Sequence, residues 1–126
     1  MPKILIVDDD PGVRHLCRMV LGNEGYEVLE AQDGPTGVSR ARAEKPDLVL
    51  LDWMMPEVDG LDTLRMLKMG SSTKQIPVVM ITALDGLTEI TVATFSGADG
   101  YVTKPFEAQD LLTLVNRFTR LPPSPD

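Results

Sequence analysis

Four apolar runs in this chain each end on a side chain that can do chemistry. "ILIV" (4–7) ends in Asp8, Asp9 and Asp10; "DLVLL" (47–51) ends in Asp52; "PVVMI" (77–81) ends in Thr82; "GYVT" (100–103) ends in Lys104 and Pro105. Carboxylates, an ammonium and a hydroxyl delivered in this way act together only if the runs lie side by side. Gathering Asp8, Asp9 and Asp52 has a cost, because two carboxylates about 4 Å apart repel by roughly 4 kcal/mol at an effective dielectric near 20. A cation must stand among them, and Lys104 supplies one positive charge, too few for three carboxylates. A hard divalent ion meets the need: magnesium takes oxygen ligands, keeps several waters and shares its shell with a substrate phosphate. Magnesium is the expected cofactor, with manganese able to substitute. One carboxylate then serves as nucleophile toward phosphorus, the metal and Lys104 neutralise phosphoryl oxygens, and Thr82 hydrogen-bonds one of them.

The elements that must position these groups alternate along the chain. Strand-like runs fall at 3–7, 26–30, 47–51, 76–81 and 99–103. Helical spacing lies between them. Val13, Leu16, Cys17, Val20 and Leu21 form one stripe, with Asp10 placed to cap it and Pro11 suited to its first turn. A second helix is expected over 35–44 with Val38 and Ala41 inward, and a third carries Leu61, Leu64 and Leu67. The last carries Leu111, Leu112, Val115 and Phe118, whereas threonines and small residues dilute the fourth, near 87–96. Strict alternation implies α/β architecture: a doubly wound parallel sheet of five strands, with right-handed crossovers and helices on both faces. The continuous apolar character of the first, third and fourth runs fits strands buried on both sides. In such a sheet ligands bind beyond the carboxyl ends of the strands. "DLVLLD" is then a central strand whose first emergent side chain is Asp52.

The totals agree with one domain. At 126 residues with 43% hydrophobic and 25% charged residues, the chain can bury a single sizeable core. No apolar run reaches the roughly 18 residues of a membrane span, and "MPKILIVDDD" meets acid too early for a secretory signal, so a cytoplasmic address without membrane partners is expected. Cys17, the single cysteine, forms no internal disulfide and reads as a small buried thiol. A net charge of −7 argues against direct nucleic-acid binding by this domain. Residues 1–120 form the domain, and "LPPSPD" (121–126) reads as a C-terminal tail or linker remnant. Asp10, Asp33, Asp59 and Asp62 read as caps or solvated turns. His15 lies off the apolar stripe, Met54 and Met55 have core filling as their plain reading, and Trp53, beside Asp52, is a natural reporter.

"ILIVDDD", "DLVLLDWMMPEVDGLDTL", "PVVMITA" and "GADGYVTKPF" together resemble the receiver domain of two-component response regulators, from about Lys3 to Arg120. The resemblance implies the flavodoxin-like strand order 2-1-3-4-5 with five flanking helices. It implies that Asp52 accepts a phosphoryl group from a phosphohistidine on a sensor histidine kinase or histidine phosphotransfer protein. Asp9 would ligate the metal directly and Asp8 through water, with Asp52 and the Met54 backbone carbonyl completing the set. Lys104 would pair with the phosphoryl group across a cis bond to Pro105. Thr82 and Tyr101 would form a switch pair that reshapes the surface of helix 4, strand 5 and helix 5 toward an effector protein or domain. A phosphorylation-dependent homodimer is compatible with this pattern. The domain would catalyse its own phosphotransfer and dephosphorylation without being a stand-alone turnover enzyme. Met54 and Leu84, each two residues past a site residue, would flank the path of the hydrolytic water.

Two other classes use related parts. A magnesium-dependent aspartate-nucleophile phosphatase of the haloacid dehalogenase type wants Asp-x-Asp followed by Thr or Val after strand 1, and a cap domain. Here the stretch runs Asp8, Asp9, Asp10, Pro11, Gly12, and the length leaves no room for a cap. A flavin or nucleotide carrier wants a glycine- or hydroxyl-rich phosphate loop at the same place, and this loop is acidic.

Overall fold

The computed structural model describes residues 2–119; the expected tail, 121–126, lies outside them. Strands β1 (Lys3–Val7), β2 (Glu27–Ala31), β3 (Leu48–Leu51), β4 (Val78–Thr82) and β5 (Gly100–Thr103) alternate with helices α1 (Pro11–Asn23), α2 (Gly34–Glu44), α3 (Gly60–Met69), α4 (Leu87–Phe95) and α5 (Ala108–Thr119). The strands form one parallel sheet in the order β2-β1-β3-β4-β5. Fold class and strand order are those expected. The fourth strand starts two residues later than the sequence suggested. Ile76 donates to Thr73 O in a tight turn, and Pro77, without an N–H, contributes only its carbonyl to Val49.

Side-chain alternation divides the core into two layers. Leu5, Val7, Val49, Leu51, Val78 and Met80 face α2, α3 and α4, while Ile4, Ile6, Leu48, Leu50, Val79 and Ile81 face α1 and α5. The central strands are therefore apolar on both sides, and their first polar side chains appear only where the strands end. On α1 the inward face centres on Cys17 and Leu21, and Leu16 is 44% exposed, a correction to the expected stripe. Helices α1, α2 and α3 are capped by Asp10 to Gly12 N, Asp33 to Thr36 N and Asp59 to Asp62 N, at 2.8, 2.8 and 2.9 Å. Asp62 stands in the first turn of α3. Helix α4 has no side-chain cap and buries only Ala93, while Leu87 and Phe95 are almost fully exposed. Among the described residues no helix is long and apolar enough to cross a membrane.

Candidate functional site

Register brings the strand ends together. Val7 pairs with Leu51, Leu51 with Met80 and Thr82 with Thr103, so Asp8, Asp52, Thr82 and Lys104 emerge along one edge. The Asp52 amide donates to Val7 O at 2.9 Å and the Lys104 amide to Thr82 O at 2.8 Å, extending the ladders into the site. Gly60 brings the start of α3 against the back of Asp52. Its amide donates to Trp53 O at 2.7 Å, and a Cβ there would collide with the Asp52 carbonyl and Trp53 Cα.

Asp8, Asp9 and Asp52 each offer a carboxylate oxygen within 4.8 Å of the others, with Asp8 and Asp52 buried and Asp9 exposed. Lys104 Nζ lies 2.8 Å from Asp8 Oδ2 and 3.3 Å from Asp52 Oδ2, and the Lys104–Pro105 peptide is cis. Backbone amides hold the other carboxylate oxygens: Asp10 N reaches Asp8 Oδ1 at 2.9 Å and Met54 N reaches Asp52 Oδ1 at 3.3 Å. Burial raises the Asp8 pKa, against the hydrogen bonds from Lys104 and the Asp10 amide, and the Asp52 charge adds to the rise. Burial works against the charge of Lys104, but Asp8 and Asp52 outweigh it and move its pKa up. One ammonium among three carboxylates leaves the cluster net negative. Its donors are all hard oxygens, as a magnesium-sized ion prefers, so the residues fit the metal that the family implies.

Thr82 is buried at the end of β4, and Tyr101 is half-buried on β5. They meet through Leu84: the Leu84 amide donates to Thr82 Oγ1 at 3.3 Å and Tyr101 Oη donates to Leu84 O at 2.5 Å. Burial raises the Tyr101 pKa, helped by Glu89, Asp85 and Asp52. Met54 is 58% exposed at the rim, so it is not the core filler its plain reading suggested; Met55 is buried. His15 is exposed, as expected. Cys17 is buried, its thiol pushed up to about 12 by desolvation, in keeping with a non-reactive role.

The sequence reading missed Arg14. Its guanidinium donates to the backbone carbonyl of Asp8 at 2.7 Å and to Glu30 Oε1 at 3.1 Å, and Arg18 reaches Glu30 Oε2 at 2.8 Å. A signal was available, since a cation in the first turns of a helix opposes the helix dipole and so asks for a partner elsewhere.

This sheet order with an aspartate cluster and a lysine at its carboxyl edge defines a signalling receiver, and the chain belongs to the response regulator receiver domain family, whose model matches residues 4–116. Among similar proteins, the DNA-binding dual master transcriptional regulator RpaA of Synechocystis sp. is 42% identical over 95% of this chain. Protein PilH of Pseudomonas aeruginosa is 40% identical over 92% of this chain. The chain spans 50% of RpaA but 96% of PilH. The chemotaxis protein CheY4 of Vibrio cholerae superposes with a TM-score of 0.90 at 30% identity, covering 94% of this chain and 99% of that one.

Proposed function

We propose that this domain is a phosphorylation-activated switch in which Asp52 accepts a phosphoryl group from the phosphohistidine of a sensor histidine kinase or histidine phosphotransfer protein. The observation that carries the reading is the convergence of Asp8, Asp9 and Asp52 oxygens within 4.8 Å of one another, with Lys104 Nζ against Asp8 and Asp52. An Asp52 oxygen attacks phosphorus, the phosphorus–nitrogen bond breaks, and the imidazole nitrogen leaves with the bonding pair and takes up a proton. The product is an acyl phosphate on Asp52. Lys104, already 3.3 Å from Asp52 Oδ2, neutralises a phosphoryl oxygen, and the buried Thr82 hydroxyl donates to another. Asp8, Asp9, Asp52 and the Met54 carbonyl would hold magnesium, or manganese in its stead, which supplies charge neutralisation to the transferring group.

Phosphorylation adds up to about two negative charges and three acceptor oxygens. Recruiting Thr82 releases its Leu84 contact, and Tyr101, tied to the same residue, follows inward. The surface of α4, β5 and α5 then changes, and the thinly buried α4 supports such a response. The domain catalyses its own phosphotransfer and hydrolysis, acts in the cytoplasm, and passes its state to a protein partner or effector domain, with homodimerisation as one route.

The experiment titrates magnesium and then acetyl phosphate while following Trp53, the single tryptophan. Wild type is expected to respond to both, and Asp52→Asn to form no acyl phosphate. Incorporation that persists in Asp52→Asn would refute the nucleophile assignment.

A further inference from the structure

Asp8 and Asp9 share one peptide plane, whose carbonyl belongs to Asp8 and whose amide belongs to Asp9. The chain enters this plane firmly fixed: the Asp8 amide donates to Ala31 O at 3.1 Å on the edge strand β2. On its far side the Asp8 carbonyl has left the sheet ladder, and its partner is Arg14 Nη1 at 2.7 Å. The Asp8 side chain is held independently, by Lys104 and the Asp10 amide. Among the described residues the Asp9 side chain has no such support. Its carboxylate is exposed, and its approach to Asp8 and Asp52 is set by the backbone from which it projects.

Arg14 is built for holding that backbone. Its side chain is only 16% exposed, and Nε is fixed at 3.1 Å on Glu30 Oε1, a β2 residue whose other oxygen is engaged by Arg18. The planar fork therefore reaches from the edge strand to the Asp8–Asp9 peptide without occupying a carboxylate oxygen of the cluster. Resting on the metal-dependent function proposed above, we propose that Arg14 is a positioning residue that orients the Asp8–Asp9 peptide and so presents Asp9 to the divalent cation.

The test titrates magnesium into wild type and variants, reading Trp53 fluorescence and, separately, acyl phosphate formation from acetyl phosphate at saturating magnesium. Wild type comes first, because its failure to respond to magnesium defeats the functional reading itself and not this assignment. In Arg14→Ala the half-saturating magnesium concentration is expected to rise by about tenfold, while the saturated rate stays within about twofold. Arg65→Ala removes an exposed cation on α3 and should change neither reading. In an Asp9→Asn background the Arg14→Ala shift should vanish, because the residue through which it acts is gone. Arg14→Lys, which retains charge but cannot fork to both partners, should shift half-saturation by about threefold, and it carries the test if Arg14→Ala does not fold. An unchanged half-saturation, a loss confined to the saturated rate, or an equal shift in the Asp9→Asn background would each overturn the assignment.

Discussion

Lys104 Nζ lies 2.8 Å from Asp8 Oδ2, so the lysine leans toward β1 and only secondarily toward Asp52, at 3.3 Å. A divalent ion entering the cluster competes with this ammonium for Asp8, and a phosphoryl group on Asp52 draws it away. Lys104→Ala should therefore have opposite effects on two measurements. Magnesium affinity, read by Trp53 fluorescence, should rise by about fivefold, the worth of one partly exposed ion pair. The saturated rate of acyl phosphate formation should fall by about a hundredfold, as when one preorganised charge donor is lost.

Asp8 gives a pH dependence of definite sign. Burial first, then Asp52, raises its pKa above the ordinary 3.8, so the folded chain holds this proton more tightly than the unfolded one. The stability it contributes is fully present below 3.8 and is lost as pH rises through the raised folded value. Above that folded value, metal-free wild type carries Asp8 ionised at a cost that Asp8→Asn avoids. Thermal melts without magnesium should find Asp8→Asn the more stable at neutral pH, the gap closing as acid protonates Asp8 in wild type. Adding magnesium should raise wild type more than the variant. A gap that widens in acid would contradict the sign.

Tyr101 and Thr82 are coupled through one residue, Leu84, whose amide donates to Thr82 Oγ1 and whose carbonyl accepts from Tyr101 Oη. Tyr101→Phe removes one of these two ties and leaves the ring. Denaturant unfolding should lose about 1 kcal/mol. Hydrogen exchange should quicken at the Leu84 amide and leave the amides of β1 and β3 as they were. Equal protection of Leu84 in both proteins would show that the loop does not depend on this tie.

The sheet was legible because its central strands are apolar on both faces, so β1, β3 and β4 stand out by composition and their terminal Asp8, Asp52 and Thr82 by contrast. Strand order was not legible from the residues. Hydrophobic pattern reports burial and says nothing about which buried strand neighbours which, and the order came from the family resemblance. The exposed Leu16 was misjudged because spacing gives a face only to within a residue, and tertiary packing turns α1 toward Cys17 and Leu21; Met54, in the loop after β3, was given core filling from residue type alone. Arg14 was overlooked for a different reason. A cation early in α1 asked for a partner, but neither Glu30 on β2 nor the Asp8 carbonyl could be matched to it from residue type, because both meet it only across the fold.

Met54 and Leu84 bear on the lifetime of the phosphorylated state. Met54 is 58% exposed at the rim beside Asp52, and Leu84 is half-buried beyond Thr82, so apolar side chains border the approach to the proposed acyl phosphate. Neither side chain makes the local hydrogen bonds: the Met54 amide reaches Asp52, and Leu84 serves Thr82 and Tyr101 through its backbone. Met54→Asn and Leu84→Glu should therefore keep the site geometry while introducing groups able to hydrogen-bond and orient an attacking water. Hydrolysis of the acyl phosphate, followed after removal of the phosphodonor, should accelerate by about tenfold in each variant. Magnesium half-saturation should stay unchanged, which separates an effect on water from one on the metal. Unaltered decay in both variants would mean that water reaches the phosphoryl group by a path these two side chains do not border.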